Sequence, residues 1–233
     1  MLSDEISKIL QHVKVIGFDL DGTLWDNKNT IAVAIEKQFS LLQSYLPGVS
    51  RSEVKKVFLR IVKKLKARNA TLYHDVSRLR KDALQEFCQY FNVHANIATE
   101  AFDAFYQARQ KVVLYPETHE LLKVLCKNYI LVAITNGNAD LKQIGLDDYF
   151  QFCWYAGIDG LAKPHPDMLL KSCQKLSIAT SEFLYIGDEY ETDCQAASQA
   201  DTPFILLSSG GVHKNTIQLK NLQELYQLVL QCL

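Results

Sequence analysis

Two carboxylates, Asp19 and Asp21, stand directly after a short apolar run, Val13 to Phe18. A run of this kind, rich in β-branched and aromatic residues, predicts a buried β-strand. Side chains two residues apart in extended backbone point the same way, so the two negative charges would lie together and repel each other. The segment therefore predicts a site for something positive or phosphate-like.

Polar residues also follow two later apolar runs. Thr135 and Asn136 come after the run Tyr129 to Ile134, and Asp188 comes after the run Phe183 to Ile186. In open parallel sheets, ligands bind at the carboxyl ends of the strands, so we expect these side chains to converge. With a lysine from the loop before a predicted helix, the candidate set is Asp19, Asp21, Thr135, Asn136, Lys163, Asp188, Glu189 and Asp193.

The chain contains five apolar runs that predict strands. Stretches with helical spacing of apolar residues lie between the later runs and near the C-terminus. Apolar residues recur with a helical period from Met168 to Leu176 and from Leu219 to Val229. Alternating strands and helices predict an α/β fold built on a parallel sheet. The predicted strands are Val13 to Phe18, Tyr129 to Ile134, Phe152 to Ala156, Phe183 to Ile186 and Phe204 to Leu207.

The interval between the first two predicted strands is too long for a simple crossover connection. Two stretches within it, Val54 to Leu65 and Leu84 to Phe91, place apolar residues on one helical face. The sequence therefore predicts an all-helical domain, residues 27–110, inserted into a core formed by residues 1–26 and 111–233.

The order of the polar motifs is more specific than any motif alone. Along the chain, DLDGT, TN, KP and GDEYETD resemble the motifs of the haloacid dehalogenase-like hydrolase superfamily. The resemblance covers most of the chain outside the insert. It implies a Rossmann-like catalytic core, phosphatase chemistry that depends on Mg²⁺, and a helical cap domain that excludes water and selects the substrate.

The resemblance implies a role for each residue that would act on the phosphoryl group. Asp19 would be the nucleophile that forms an aspartyl-phosphate, and Asp21 would act first as general acid and then as general base. Thr135, Asn136 and Lys163 would bind the phosphoryl group, with Lys163 supplying positive charge.

Mg²⁺ is the cofactor that the resemblance implies, and the residue types suit it. Carboxylate and carbonyl oxygens are the ligands that this cation prefers. Asp188 would bind it directly, and the backbone carbonyl of Asp21 would be another ligand. The predicted metal site comprises Asp19, Asp21, Asp188 and Asp193, and whether Asp193 or Glu189 lies closer to the metal is open.

Two further stretches narrow the resemblance. YHDVSRLR, residues 73–80, and LVAITNGNADLKQIGLDDYF, residues 131–150, resemble bacterial phosphatases that act on FMN and on the phosphorylated ribitylaminouracil of riboflavin synthesis. The implied substrate is therefore FMN or that ribitylaminouracil phosphate. The candidate substrate contacts are Tyr73, His74, Arg78, Arg80 and Asn138. For the first four of these, the alternative is a structural role in the scaffold of the insert.

The overall composition predicts an ordinary globular protein with a small phosphate ester as substrate. Of 233 residues, 48% are hydrophobic and 22% are charged, and the net charge of -1 predicts no general affinity for nucleic acid or membranes. Residues 51–81 carry eleven lysines and arginines against two acids, which predicts a solvated helix face or a surface that attracts anions. We expect a cytoplasmic monomer or weak homodimer without a signal peptide or membrane span.

The motifs leave other functions open. A phosphoglycolate phosphatase, a sugar-phosphate phosphatase and a phosphomutase share all four motifs. A haloacid dehalogenase needs no acid for an alcohol leaving group, so Asp21 disfavours that activity. A non-catalytic binding protein would not need Asp19, Asp21, Lys163 and Asp188 together.

Overall fold

The computed structural model describes residues 2–211, 213 and 216–232, and for Tyr73 it describes the backbone only. These residues form a parallel β-sheet flanked by helices, together with a group of helices that has a core of its own. Within these ranges, no helix combines the length and the apolar character needed to cross a membrane.

Six parallel strands form one sheet. They are β1 (Val15–Phe18), β2 (Ile130–Thr135), β3 (Phe152–Tyr155), β4 (Phe183–Gly187), β5 (Phe204–Leu207) and β6 (Ile217–Leu219). Their order is β3-β2-β1-β4-β5-β6. The chain runs outward from β1 to β3 and then returns to pair β4 with the other side of β1. A topological switch point therefore lies between β1 and β4, where ligands bind at the carboxyl ends of such strands.

Ten α-helices lie in the described ranges. They are α1 (Leu2–His12), α2 (Asn27–Ser44), α3 (Arg51–Arg68), α4 (Val76–Phe91), α5 (Asn96–Arg109), α6 (Thr118–Leu125), α7 (Leu141–Ile144), α8 (Asp167–Leu176), α9 (Gln195–Ala200) and α10 (Leu222–Cys232). Every residue of β1 and β4 is buried, which explains why both strands are uninterrupted apolar runs.

The predicted α/β parallel sheet is confirmed, and five of its six strands follow the predicted bounds within two residues. The strand β6 has only three residues, which is too short for a recognisable pattern. Leu219 belongs to β6, and α10 begins at Leu222, so the prediction of a helical period starting at Leu219 is wrong at that residue.

The chain forms two compact units. The first comprises Met1–Asp26, Val113–Gly137 and Gly145–Leu233, and the second comprises Asn27–Val112 and Asn138–Ile144. The second unit thus differs from the predicted insert, residues 27–110, chiefly because it includes a segment that the prediction assigned to the core.

Gln110 holds the segment Asn138–Ile144 within the second unit. Its Nε2 donates to the carbonyl oxygen of Asn138 at 3.3 Å, and its Oε1 accepts from the backbone N–H of Asp140 at 2.8 Å. In addition, Asn138 Nδ2 donates to the hydroxyl of Ser77 at 3.0 Å. Hydrogen bonds between residues so distant in the sequence leave no trace in hydrophobic periodicity, the pattern from which the insert was predicted.

Helices α2 to α5 of the second unit pack around an aromatic core. The ring of Phe58 meets those of Phe39 and Phe87 edge-to-face, with centroids 5.5 Å and 6.4 Å apart. The apolar faces predicted from helical spacing are buried here. They include Val54, Val57, Phe58, Ile61 and Leu65 on α3, and Leu84, Phe87 and Cys88 on α4.

Candidate active site

Asp19 and Asp188 lie side by side because β1 and β4 are paired. Phe18 stands opposite Ile186 in the register, and the backbone N–H of Asp19 donates to the carbonyl oxygen of Ile186 at 2.8 Å. A third acid, Asp193, joins them, and carboxylate oxygens from the three residues all lie within 4.8 Å of one another. We call Asp19, Asp188 and Asp193 the carboxylate cluster.

Gly22 and Thr23 of the DLDGT motif fit closely against this cluster. The Thr23 hydroxyl oxygen lies 3.3 Å from Asp19 Oδ2 and 3.2 Å from Asp188 Oδ1, so its one proton can serve either carboxylate. Gly22 has a φ of +94°, and a Cβ at this position would lie 2.2 Å from Asp188 Oδ2. Only glycine allows the turn and the carboxylate to approach this closely.

Lys163 places its ammonium group among four oxygen atoms. Its Nζ lies 2.6 Å from Asp19 Oδ1, 2.6 Å from Asp193 Oδ1, 2.6 Å from the Tyr185 hydroxyl and 3.0 Å from the carbonyl oxygen of Ile134. The residue is only 4% exposed, so water screens these charges weakly. Lys163 is therefore the positive group that links two members of the carboxylate cluster.

The turn after β2 holds the loop that carries Lys163. Asn136 Oδ1 accepts from the backbone N–H of Lys163 at 2.9 Å, and Asn136 Nδ2 donates to the Lys163 carbonyl oxygen at 2.9 Å. Thr135 is buried, and its hydroxyl oxygen accepts from the backbone N–H of Gly137 at 2.9 Å. Asn136 thus holds the backbone of Lys163, and Thr135 holds the turn after β2. Phosphoryl binding by their side chains stays a prediction.

A π-helical turn, Tyr190–Cys194, directs Asp193 into the cluster. The backbone N–H of Asp193 donates to the carbonyl oxygen of Glu189 at 2.8 Å, and the backbone N–H of Glu189 donates to Asp193 Oδ2 at 3.1 Å. The carboxylate of Glu189 instead accepts from the Thr192 hydroxyl at 2.8 Å. Between the two acids left open by the sequence, Asp193 is the one whose carboxylate joins the cluster.

The cluster carries more negative charge than Lys163 can balance. Burial raises the pKa of Asp19 well above its usual value, although the Lys163 ammonium opposes that shift. Burial, and then the charge of Asp193, raise the pKa of Asp188 to about 6. Burial alone would lower the pKa of Lys163, but its ion pairs with Asp19 and Asp193 raise it. Burial likewise raises the pKa of Tyr185, and the nearby carboxylates add to the shift.

Three neighbouring carboxylates, two of them paired with Lys163, form a suitable donor set for a small divalent cation. Asp19, Asp188 and Asp193 each offer one oxygen, these oxygens lie within 4.8 Å of one another, and hard oxygen ligands suit Mg²⁺. The carboxylate of Asp21 is not one of the three, and its Oδ1 accepts from the indole N–H of Trp25 at 2.8 Å. A ligand role for the backbone carbonyl of Asp21 stays a prediction.

Arg80 is integrated into the packing of the second unit. Its guanidinium lies 3.5 Å from the centroid of the Phe105 ring, and its Nη1 donates to Gln38 Oε1 at 2.8 Å. Burial lowers the pKa of Arg80 to about 10. These contacts favour the scaffold alternative for this residue.

The other predicted substrate contacts also belong to the second unit, whereas the carboxylate cluster lies wholly in the first. Arg78 is exposed and lies 3.9 Å from Asp82. His74 ends a short 3₁₀ segment, Leu72–His74, and the side chain of Tyr73 lies outside the described part of the chain. Asn138 is the residue bonded to Ser77. Substrate contact by these four residues stays a prediction.

Tyr185 and Thr23 contact the site, but the sequence pattern assigned neither of them a role. Tyr185 lies inside the apolar run of β4 and reads as an ordinary core residue. One chemical signal was available, because a tyrosine in a strand buried on both faces needs a hydrogen-bond partner for its hydroxyl. Thr23 lies within the DLDGT motif, but its position in the sequence does not indicate a contact with Asp188.

Replacing Gly187 by alanine is expected to destabilise the protein and to lower activity. The added Cβ would lie 2.5 Å from Asp193 Cγ, and Asp193 cannot withdraw without losing Lys163. We expect a loss of about 1–3 kcal/mol in the free energy of unfolding, measured by urea denaturation. Gly48→Ala is the matched control, because a Cβ there meets nothing within 4 Å. Equal stability of the two variants would contradict the tight fit at Gly187.

Comparisons with known proteins identify the family of this chain. The family model for haloacid dehalogenase-like hydrolases matches residues 13–201, a range that contains the whole carboxylate cluster and Lys163. The chain is 33% identical over 192 residues to the 5-amino-6-(5-phospho-D-ribitylamino)uracil phosphatase YigB of Escherichia coli (strain K12), covering 81% of this chain and 80% of that protein.

Two further similarities cover almost the whole chain. A phosphoglycolate phosphatase of Pseudomonas savastanoi pv. phaseolicola is 26% identical, over 94% of this chain and 80% of its own length. The crystal structure of a 2-haloacid dehalogenase from Pseudomonas syringae pv. tomato superposes with a TM-score of 0.85 at 28% identity, over 94% of this chain and 99% of that chain. The chain therefore belongs to the haloacid dehalogenase-like hydrolase family and is an enzyme of that family.

Proposed function

We propose that this hydrolase is a Mg²⁺-dependent phosphatase that releases phosphate from a small phosphorylated metabolite through an aspartyl-phosphate at Asp19. The observation that carries the proposal is the carboxylate cluster with Lys163 bonded to it, at the carboxyl ends of neighbouring strands. The family match and the phosphatases among the curated relatives support this reaction class.

Asp19 is the nucleophile in the proposed reaction. One of its oxygens bonds to phosphorus while the bond between phosphorus and the leaving oxygen breaks. Lys163 donates to Asp19 Oδ1 at 2.6 Å, so its positive charge lies beside the carboxylate that receives the phosphoryl group in this proposal. A fixed charge at this place stabilises negative charge that develops on the phosphoryl oxygens.

Asp21 transfers the protons in both halves of the reaction. It first gives a proton to the leaving alcohol oxygen. It then accepts a proton from the water molecule that attacks phosphorus, and the bond between phosphorus and the Asp19 oxygen breaks to release phosphate. The indole N–H of Trp25 orients the Asp21 carboxylate for both transfers.

Asp19, Asp188 and Asp193 would hold the Mg²⁺ ion in this proposal. When bound, Mg²⁺ offsets the repulsion between the anionic nucleophile and the anionic phosphate. Among the described residues, Lys163 is the only cationic side chain within hydrogen-bonding distance of these carboxylates. The cluster therefore keeps surplus negative charge, which supports binding of a divalent cation.

The affinity for Mg²⁺ is expected to fall as the pH is lowered through about 6. Burial and the Asp193 charge raise the pKa of Asp188 to about 6 without metal, so below that pH a proton occupies a ligand carboxylate. Because proton and metal compete, we expect binding about tenfold weaker near pH 5 than near pH 7.5, measured by titration calorimetry. Equal dissociation constants at both pH values would contradict a ligand role for Asp188.

The proposed substrate is FMN or the phosphorylated ribitylaminouracil intermediate of riboflavin synthesis. The support is the similarity to the Escherichia coli enzyme named for the second compound. Phosphate release from a panel containing both compounds, phosphoglycolate and sugar phosphates, with and without EDTA, tests the choice. A kcat/KM for phosphoglycolate far above that for FMN would move the assignment to the activity named for the Pseudomonas relatives.

A dehalogenase is the second candidate, because the structural neighbour with a TM-score of 0.85 carries that name. In that reaction an aspartate attacks carbon, and no acid is needed for an alcohol leaving group. Asp21 disfavours it here. Chloride release from 2-chloropropionate without phosphatase activity on the panel would favour the dehalogenase, whereas retention of phosphate within an isomerised sugar product would indicate a phosphomutase.

A further inference from the structure

The hydroxyl of Tyr185 belongs to the hydrogen-bond network around Lys163. Tyr185 is in β4 and is fully buried. Its oxygen is 2.6 Å from Lys163 Nζ, 3.2 Å from Asp193 Oδ1 and 3.3 Å from the carbonyl oxygen of Ile134. The proposed reaction assigns no role to this hydroxyl group.

Counting protons determines the direction of these hydrogen bonds. An ammonium group has three N–H donors and no lone pair, so a hydroxyl oxygen 2.6 Å from Lys163 Nζ must accept one of its protons. Two N–H groups then remain, and the two carboxylate oxygens at 2.6 Å, from Asp19 and Asp193, take them. The Tyr185 hydroxyl then donates its own hydrogen bond to the Ile134 carbonyl oxygen at 3.3 Å or to Asp193 Oδ1 at 3.2 Å.

The three short contacts come from separate parts of the chain and fix the ammonium group against rotation. They originate after β1, within β4 and in the π-helical turn. Without the hydroxyl, the third N–H would turn toward the Ile134 carbonyl oxygen at 3.0 Å, and the other two would turn with it. The N–H that points at Asp19 would then be misaligned.

We propose that Tyr185 is a positioning residue, whose hydroxyl orients the Lys163 ammonium group so that one N–H points at Asp19. This inference rests on the proposed function, because it assigns Tyr185 to the step in which phosphate is transferred to Asp19. Orientation of a catalytic charge affects the transition state more than substrate binding, so kcat should respond more than KM.

Tyr185→Phe tests the proposal, since it removes only the hydroxyl. We expect kcat to fall about tenfold while KM changes less than about twofold, and the affinity for vanadate, which mimics the transferring phosphoryl group, to fall with kcat. Tyr129→Phe is the matched control, because its hydroxyl donates to the Leu10 carbonyl oxygen at 3.0 Å, outside the site. Tyr129→Phe loses one partly buried hydrogen bond, whereas Tyr185→Phe loses the bond that its hydroxyl accepts and the bond that it donates. Thermal melts of both variants therefore separate stability from turnover.

A double-variant cycle shows whether Tyr185 acts through Lys163. On a Lys163→Gln background, Tyr185→Phe should lower the residual kcat by less than about twofold, because the group it orients is gone. Wild-type kcat in Tyr185→Phe, or a full additional tenfold loss on that background, would overturn the inference. Absence of phosphate release from the wild-type enzyme on every substrate would instead overturn the proposed function. That outcome is distinguishable, because the inference about Tyr185 fails only when the wild type is active.

Discussion

Asp19→Asn is expected to abolish phosphate release, with a fall in kcat of roughly 10⁴-fold or more. An amide oxygen is a poor nucleophile and cannot form the aspartyl-phosphate. The side chain keeps its shape and an oxygen that can accept from Lys163, so the fold should persist. Phosphate release under saturating substrate and Mg²⁺ measures the first effect, and circular dichroism with a thermal melt measures the second.

Asp148→Asn is the matched control, because Asp148 is an exposed acid of the same unit in a short 3₁₀ segment. It should retain wild-type turnover. Normal turnover of Asp19→Asn on any substrate that the wild type hydrolyses would mean that the nucleophile is another residue.

Lys163→Met is expected to impair both activity and folding. It leaves Asp19 and Asp193 buried without their shared cation, and removal of one partner of a buried ion pair costs about 3–5 kcal/mol. Loss of the charge beside the phosphoryl group should lower kcat by about 10²–10³-fold. Urea denaturation and phosphate release measure the two effects, and excess Mg²⁺ should recover part of the stability because it replaces the missing positive charge.

Lys171→Met separates this effect from the general loss of a lysine. Lys171 pairs with Asp167 at 3.3 Å, and its side chain is 44% exposed, so water already screens the pair. Its loss should cost less than about 1 kcal/mol and leave turnover unchanged. If Lys163→Met were as stable as Lys171→Met, the buried ion pairs of Lys163 would not contribute the expected free energy of unfolding.

The sequence predicted the sheet and the convergence of its polar motifs because both follow from local patterns. Buried parallel strands read as uninterrupted apolar runs, and the polar residue that ends each run marks the carboxyl end of a strand. Asp19 and Asp188 could therefore be assigned to one edge of the sheet, and the pairing of β1 with β4 makes them neighbours.

The remaining features depend on interactions that no local pattern encodes. The resemblance assigned Asp193 to the metal site, but the π-helical turn that carries this residue has no clear sequence signal. The segment 138–144 joins the second unit through the side chain of Gln110, which lies about 30 residues earlier in the chain. The role of Tyr185 was not predicted, because the residue lies in an apolar strand. The hydrogen-bond partners of its hydroxyl become neighbours only after folding.

Chemical trapping of the intermediate tests the nucleophile most directly. Enzyme quenched in acid during turnover would be treated with hydroxylamine, which converts an acyl phosphate into a stable hydroxamate, and the modified residue would be located by peptide mass spectrometry. We predict a hydroxamate at Asp19 in the wild type and none in Asp19→Asn. Rapid phosphate release accompanied by a hydroxamate at another carboxylate, or by none, would contradict the account.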